Sequence, residues 1–378
     1  MKDKPKYFTL DEIKKKKALY NVIFGIRSNG KTYSVLMEAL HNYADSNMIN
    51  QTAMMRRYLD DIMPSKMSTI FNGIIKNGEI EKIFKNKGGW TYVRYYMRKF
   101  FLAKKVTRTL TNGKEIEEEV FDEKPFMYVF AITEEEDYKQ NSFPYVNLII
   151  YDEFIARTGY VKGEFIMFMN LLSTIKRDRM DVTIYLIGNS ISYTCPYFIE
   201  MGLKHIRQMK QGDIDLYTYG DTDLKVAVQY AEPAKKIKSR RDIDPYFAFD
   251  NPRLKMITTG DFELDLHPHC PYDYRPMDIK YYFFIIFESM TYQCEIVYFS
   301  KQWFIFIHRK STPIQNPNKD RIYQAETDVR WNYHKSLTRA LSIDSVGQSI
   351  ALMFANNKVF YQDNQVGEDI RNYIEQNG

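Results

Sequence analysis

Gly25-Ile26-Arg27-Ser28-Asn29-Gly30-Lys31-Thr32 fits the pattern G-x-x-x-x-G-K-[ST] in full. Its surroundings are those the pattern needs. Leu19–Phe24 before it is an apolar run that reads as a buried strand. After it, Val35, Leu36, Ala39, Leu40 and Tyr43 recur at helical spacing, so Thr32–Tyr43 reads as a helix. Each residue type has a chemical reason. Glycines let the backbone wrap closely around phosphate oxygens and adopt positive φ, so that N–H groups point inward. The helix N-terminus adds partial positive charge. Lys31 reaches the β- and γ-phosphates of ATP, and the Thr32 hydroxyl is a ligand for Mg²⁺. Residues 25–32 are therefore the expected nucleotide-binding loop.

Further along, Leu148-Ile-Ile-Tyr-Asp152-Glu153 is an apolar strand ending in two carboxylates. Ionised groups at a buried strand end need partners. Asp152 is expected to hold Mg²⁺ through its water shell, and Glu153 to act as general base on the attacking water. Val182–Ile187 reads as a strand lying between the loop strand and the Asp-Glu strand. It runs into Gly188-Asn189-Ser190, where Asn189 is expected either to sense the γ-phosphate or to help place the attacking water. Just upstream, Lys176-Arg177-Asp178-Arg179 offers arginines either for solvent or for a neighbouring subunit's nucleotide.

The remaining pattern extends this α/β reading. Thr52–Met55 reads as a strand ending at Arg56-Arg57. A helix carrying Met63, Met67, Ile70 and Phe71 is expected next. Trp90–Val93, Phe100–Lys104 and Met127–Ile132 read as an antiparallel insertion at one sheet edge, with a hairpin turn at Thr111-Asn112-Gly113-Lys114. Arg94, Arg98, Lys99, Lys104, Lys105 and Arg108 in that block suit either DNA phosphates or solvent. Phe165–Ile175 reads as a helix. The expected domains are an ATPase domain over 1–225, a basic linker over 226–250 containing Lys235–Arg241, and a small α+β domain over 251–378. The last has strands at Tyr281–Glu288, Gln293–Phe299 and Trp303–His308, and helices near Val346–Phe354 and Glu368–Glu375.

Composition narrows the class. The 378 residues carry a net charge of +5, which permits a polyanionic partner without demanding one. Cys195, Cys270 and Cys294 form no CxxC pair, which argues against a disulfide framework and for a reducing compartment. His267-Pro-His269-Cys270 lacks a second cluster at zinc spacing and reads as a loop. Met1–Lys6 has no apolar signal region, and no apolar run reaches membrane-spanning length, so a secreted or membrane protein is not expected.

Together these motifs resemble the genome-packaging ATPases of small short-tailed phages with protein-primed linear DNA. The resemblance rests on Val22–Arg27, Met55-Arg56-Arg57-Tyr58, Tyr151–Ile155, Asn170–Arg179, Gly188-Asn189-Ser190 and Pro196-Tyr197-Phe198, with a shorter echo at Phe354–Val366. It implies a P-loop additional-strand ATPase domain with a mostly parallel sheet, followed by an RNase H-like, vestigial nuclease domain. It implies a homo-oligomeric ring, a pentamer, docked on the portal of a prohead in the host cytoplasm. ATP hydrolysis with Mg²⁺ would drive double-stranded DNA inward. A packaging RNA is a further partner the resemblance raises without settling. Arg177 then matches an arginine acting on the neighbouring subunit's ATP, and Lys139 a second residue acting in trans. The family's basic residue after the paired arginines has no counterpart near Leu59, Asp60 and Asp61. Other functions sharing the ATP site are a helicase-like ring ATPase and an ATP-dependent assembly switch.

Overall fold

A computed structural model describes residues 7–109, 111, 114–156, 160–189, 195–232, 267–287, 290–337 and 344–377. Asn112-Gly113, Ser190, the Lys235–Arg241 cluster and Glu288 lie outside the described residues. The chain divides into two compact units, Met1–Phe262 and Glu263–Gly378.

The first unit is built on a ten-stranded sheet. Its strands are β1 Tyr20–Gly25, β2 Gln51–Arg56, β3 Tyr92–Tyr96, β4 Lys99–Thr109, β5 Glu115–Phe121, β6 Met127–Ala131, β7 Val146–Asp152, β8 Thr183–Asn189, β9 Ile214–Thr218 and β10 Lys225–Ala231. The order is β3-β4-β6-β2-β7-β8-β1-β10-β9, with β5 paired to β4. From β6 to β10 every neighbouring pair is parallel. β8 lies between the loop strand β1 and the Asp-Glu strand β7, the position expected for the additional strand.

Parallel strands joined by helical crossovers are covered on both faces and read as near-continuous apolar runs. Two separate cores follow. One packs the helix Lys31–Asp45 and the segment 62–84 against one set of sheet residues, including Ile23, Met54 and Ile150. The other packs the helix Glu164–Lys176 against Val22, Ile149 and Leu186. Val35, Leu36, Ala39, Leu40 and Tyr43 are all buried, as their spacing requires.

Three expectations shift. Residues 63–71 form no single helix; Pro64, Gly73 and Gly78 punctuate the segment into Pro64–Met67, Asn72–Lys76 and Glu79–Phe84. Met127–Ala131 joins the insertion to the main sheet: β6 pairs antiparallel with β4, as expected, but parallel with β2 on its other side. β3, β4 and β5 form antiparallel pairs at the sheet edge, as expected. Residue 225 does not end the first sheet: it begins β10, which runs beside β1, and the compact unit continues to Phe262.

The second unit has a six-stranded sheet of β11 Ile279–Phe287, β12 Met290–Phe299, β13 Gln302–Arg309, β14 Arg321–Gln324, β15 Tyr333–His334 and β16 Val359–Tyr361. The order is β15-β14-β11-β12-β13-β16. β11, β12 and β13 pair antiparallel, while β14, β15 and β16 add in parallel. The helices Ser345–Ala355 and Asn364–Asn377 supply Ile350, Val366, Ile370 and Tyr373 to its core. No described helix is long and apolar enough to cross a membrane.

Candidate active site

The turn after β1 is a cradle that only glycine permits. Gly25 has φ 156°, and a Cβ there would sit 2.8 Å from the Ala231 carbonyl oxygen on the adjacent β10. Gly30 has φ 99° and caps the helix Lys31–Asp45 in the left-handed region. Ser28, at φ 59°, is a non-glycine in that region, which is uncommon and marks a constrained turn. Asn29 is buried and pins the loop from inside: its Nδ2 donates to the Glu232 carbonyl at 3.2 Å, and its Oδ1 accepts from the Lys31 N–H at 3.3 Å. Arg27 and Ser28 are exposed at the rim.

Lys31 is buried and folded back on its own loop. Its Nζ donates to the carbonyls of Gly25 (3.1 Å) and Ile26 (2.6 Å) and to Asn29 Oδ1 (3.2 Å). Burial lowers its pKa to about 7, against the attraction of Asp152. The ammonium is thus held by carbonyl oxygens that phosphate oxygens would replace.

Asp152 ends β7 and is buried. Burial pushes its carboxyl above the usual range, and Arg56 pulls the other way. Arg56 stands at the end of the neighbouring β2 and bridges both carboxylates, 2.6 Å from Asp152 Oδ2 and 2.7 Å from Glu153 Oε2. Glu153 is exposed, and its backbone is left-handed at φ 62°. Its N–H donates to the Ile187 carbonyl at 2.8 Å, which ties the turn after β7 to β8. Asn189 is the Cα partner of Gly25 in the β8–β1 register. The loop, Asp152-Glu153 and Asn189 therefore lie at the same ends of three adjacent parallel strands, the edge where open α/β sheets place their ligands.

Thr32 and Asp152 provide a hydroxyl and a carboxylate, the oxygen donors Mg²⁺ takes. Beside them, the turn that a Cβ at Gly25 would block leaves room for close approach of a phosphate. The donor set fits a Mg²⁺–nucleotide.

Arg177 and Lys139 are brought together elsewhere. The helix Glu164–Lys176 starts beyond the end of β7 and returns to the start of β8, so its 13 residues carry Arg177 about 20 Å along its axis from its first turn. Arg177 donates to the Asn141 carbonyl at 2.8 Å, two residues from Lys139, which is exposed and pairs with Glu136. Arg179 braces the same loop through the Phe143 carbonyl at 3.2 Å. These groups sit at the opposite strand ends from their own nucleotide loop.

Most of the insertion's cations have partners within the chain. Lys105 meets Glu117 (3.1 Å), Arg108 meets Glu118 (3.6 Å), Arg98 meets Glu134 (2.9 Å), and Lys104 lies over the Trp90 ring. In the second unit, His267 faces Glu368 at 3.4 Å, His269 faces Asn364 at 3.3 Å, and the Cys270 thiol donates to the Tyr272 carbonyl. Among the described residues, no group of three or more His, Cys, Asp or Glu side chains is placed to hold a metal ion.

Sequence reasoning gave no role to Arg56, Arg57 or Glu164. The adjacent arginines were visible as a pair at a strand end. Glu164 looks like an ordinary acidic residue in a helix's first turn, and only tertiary structure shows it buried.

A protein-family model described as podovirus DNA encapsidation protein (Gp16) matches residues 2–251. The DNA packaging protein of Bacillus phage phi29 is 20% identical over 293 residues, covering 76% of this chain and 75% of that protein. The DNA packaging protein of Bacillus phage B103 is 25% identical over 188 residues, 49% of this chain; that match spans 48%, about half, of the relative's length. A solved structure of the bacteriophage Phi-29 viral genome packaging motor assembly aligns with a TM-score of 0.57 at 17% identity, over 98% of this chain and 99% of that one. At that identity the likeness is one of fold.

Proposed function

Because the chain belongs to the podovirus DNA encapsidation protein (Gp16) family, we propose that it is the Mg²⁺-dependent ATPase of a ring motor that drives double-stranded viral DNA into a prohead. The observation that carries this reading is the convergence of Gly25–Thr32, Asp152-Glu153 and Asn189 at one edge of β1, β7 and β8. ATP phosphates lie in the loop of residues 25–32, and Lys31 leaves the Gly25 and Ile26 carbonyls to meet them. Thr32 and Asp152 hold Mg²⁺, which when bound neutralises charge on the transferred phosphate. Glu153 accepts a proton from the attacking water, and Asn189 orients the γ-phosphate or that water.

Arg177 and Lys139 act on the ATP of the adjacent subunit. Their place at the far strand ends supports this, since they face away from their own loop. The motor is a homo-oligomeric ring, a pentamer, docked on the phage portal in the host cytoplasm, with a packaging RNA as a candidate adaptor. The second unit is an RNase H-like domain without nuclease chemistry. Two-metal cleavage needs carboxylates converging on metals about 4 Å apart. Among the described residues, four carboxylates are engaged by their own partners instead: Glu295 with Tyr274 and His308, Asp369 with Tyr292, Asp363 with Arg309, Asp344 with Arg321.

The test is steady-state ATP hydrolysis against protein concentration, with and without duplex DNA, using Glu153→Gln as control. A rate per subunit that climbs with concentration and rises with DNA supports the trans-acting ring. A flat, DNA-indifferent rate points instead to an assembly switch.

A further inference from the structure

Beneath the catalytic turn lies a buried ion pair that the hydrolysis scheme does not use. The Glu164 side chain is wholly buried. Its Oε2 accepts from Arg57 Nε at 2.8 Å and from the Val161 N–H at 3.1 Å; its Oε1 accepts from the Tyr151 hydroxyl at 2.7 Å and the Tyr197 hydroxyl at 3.2 Å. The carboxylate therefore has four donors and little freedom. Arg57, fixed by it and lying 5.3 Å from the Tyr160 ring centroid, turns its other nitrogens to the chain just after Asp152. NH1 donates to the Glu153 carbonyl at 3.3 Å and NH2 to the Phe154 carbonyl at 2.8 Å.

Stability alone is a weak reason for this arrangement. A buried ion pair replaced by well-packed neutral groups is often as stable or more so, because two charges have been taken out of water. What neutral groups cannot reproduce is the aim of the guanidinium at two consecutive carbonyls. The first belongs to Glu153, whose φ of 62° is uncommon for a residue with a Cβ and persists only where its surroundings hold it. The Glu153 N–H is fixed by Ile187 on one side, and its carbonyl by Arg57 on the other. The peptide units flanking its Cα are thereby anchored, and with them the direction of its side chain.

We propose that Arg57, locked by Glu164, is a positioning residue for hydrolysis: it holds the backbone of Glu153 in the left-handed turn that points the general base at the attacking water. The proposal rests on the reading of Glu153 as that base. Arg57 and Glu164 touch neither nucleotide nor metal in this scheme. They act on turnover through Glu153 and leave nucleotide binding to the loop of residues 25–32.

The experiment uses the full chain in three forms: Arg57→Lys, the double variant Arg57→Met/Glu164→Gln, and Glu153→Gln. The double variant removes both charges but keeps an amide oxygen for Tyr151 and Tyr197. Steady-state hydrolysis gives kcat and KM for Mg·ATP, displacement of a fluorescent ATP analogue gives affinity, and thermal melting reports folding. Expected for the double variant is a melting temperature near that of the parent, analogue affinity within threefold, and kcat at least tenfold lower. Arg57→Lys, which keeps the charge but cannot bond Glu164 and both carbonyls together, should fall between. A folded double variant that hydrolyses ATP within twofold of the parent overturns the proposal. So does parallel loss of kcat and analogue affinity, which marks a merely structural pair. If the double variant does not fold, Arg57→Lys decides: kcat reduced at unchanged affinity supports the clamp, and unchanged kcat overturns it. Normal turnover by Glu153→Gln would instead remove the base assignment, an outcome separable from the other two.

Discussion

Arg56 NH2 lies 2.6 Å from Asp152 Oδ2, with both side chains largely buried at the ends of adjacent parallel strands. The guanidinium supplies the positive charge that, in the proposed site, Mg²⁺ would supply to this carboxylate. Breaking a buried pair by removing one partner strands the other charge, at about 3 kcal/mol or more. Arg56→Gln should therefore lower stability without nucleotide by roughly that amount. Saturating Mg·ATP should then restore more stability to the variant than it adds to the parent, because the metal takes over the role of Arg56. Denaturant melts with and without Mg·ATP measure both effects. Equal melts for variant and parent would mean the pair contributes nothing.

Lys31 gives a pH signature. Its pKa without nucleotide is held to about 7 by burial, whereas phosphate contact favours the ammonium. At pH 8 the nucleotide-free lysine is mostly neutral and the bound one charged, so binding takes up a proton. At pH 6 it is charged in both states and contributes no uptake. Calorimetry at pH 8 in buffers of differing ionisation enthalpy should show net uptake approaching one proton relative to Lys31→Met. Identical proton counts for the two proteins would refute the shift.

The parts of this design legible in sequence are those with local signals. The loop of residues 25–32, the helix Lys31–Asp45 and the apolar strands β7 and β8 each combine periodicity with a turn or a charged terminus. β10 is as deeply buried as β7, but Gln229 interrupts its apolar run and no catalytic motif ends it, so nothing local marks it as a central strand. Apolar spacing over residues 63–71 fits one helix, but only Pro64–Met67 is α-helical there. The roles of Arg56, Arg57 and Glu164 depend on which strands become neighbours. That follows from the crossover order β2-β7-β8-β1, and no window of sequence encodes it.

The phosphate loop is sterically closed at Gly25. A Cβ there meets the Ala231 carbonyl oxygen at 2.8 Å, and φ is 156°. Relief requires moving β10 or the loop, since backbone is the obstacle. Gly25→Ala should cost about 2–4 kcal/mol of stability and weaken ATP binding tenfold or more. Gly78→Ala, at φ 67° with no atom within 4 Å of its added Cβ, should cost only about 1 kcal/mol through backbone strain and leave binding unchanged. Melting and analogue titration of the two variants separate the cradle from a general intolerance of glycine loss.

Arg177 sits at the end of the helix Glu164–Lys176 remote from its own loop, with its guanidinium on the Asn141 carbonyl. A residue in that place is remote from its own nucleotide loop, and in the proposed ring it completes a neighbour's site. Arg177→Ala should keep ATP affinity and lose hydrolysis by a factor of roughly 10³, the scale of an arginine supplied in trans. Glu153→Gln subunits have a dead site of their own but an intact Arg177. Mixing the two variants puts intact Arg177 beside intact Glu153 at some interfaces, so activity should reappear in the mixture although neither parent has it. Complementation should peak near equal proportions and vanish on dilution that dissociates the assembly. Hydrolysis by Arg177→Ala at parental rate, independent of concentration, would place the arginine outside the reaction; an inactive mixture at every ratio would place it in its own subunit's site.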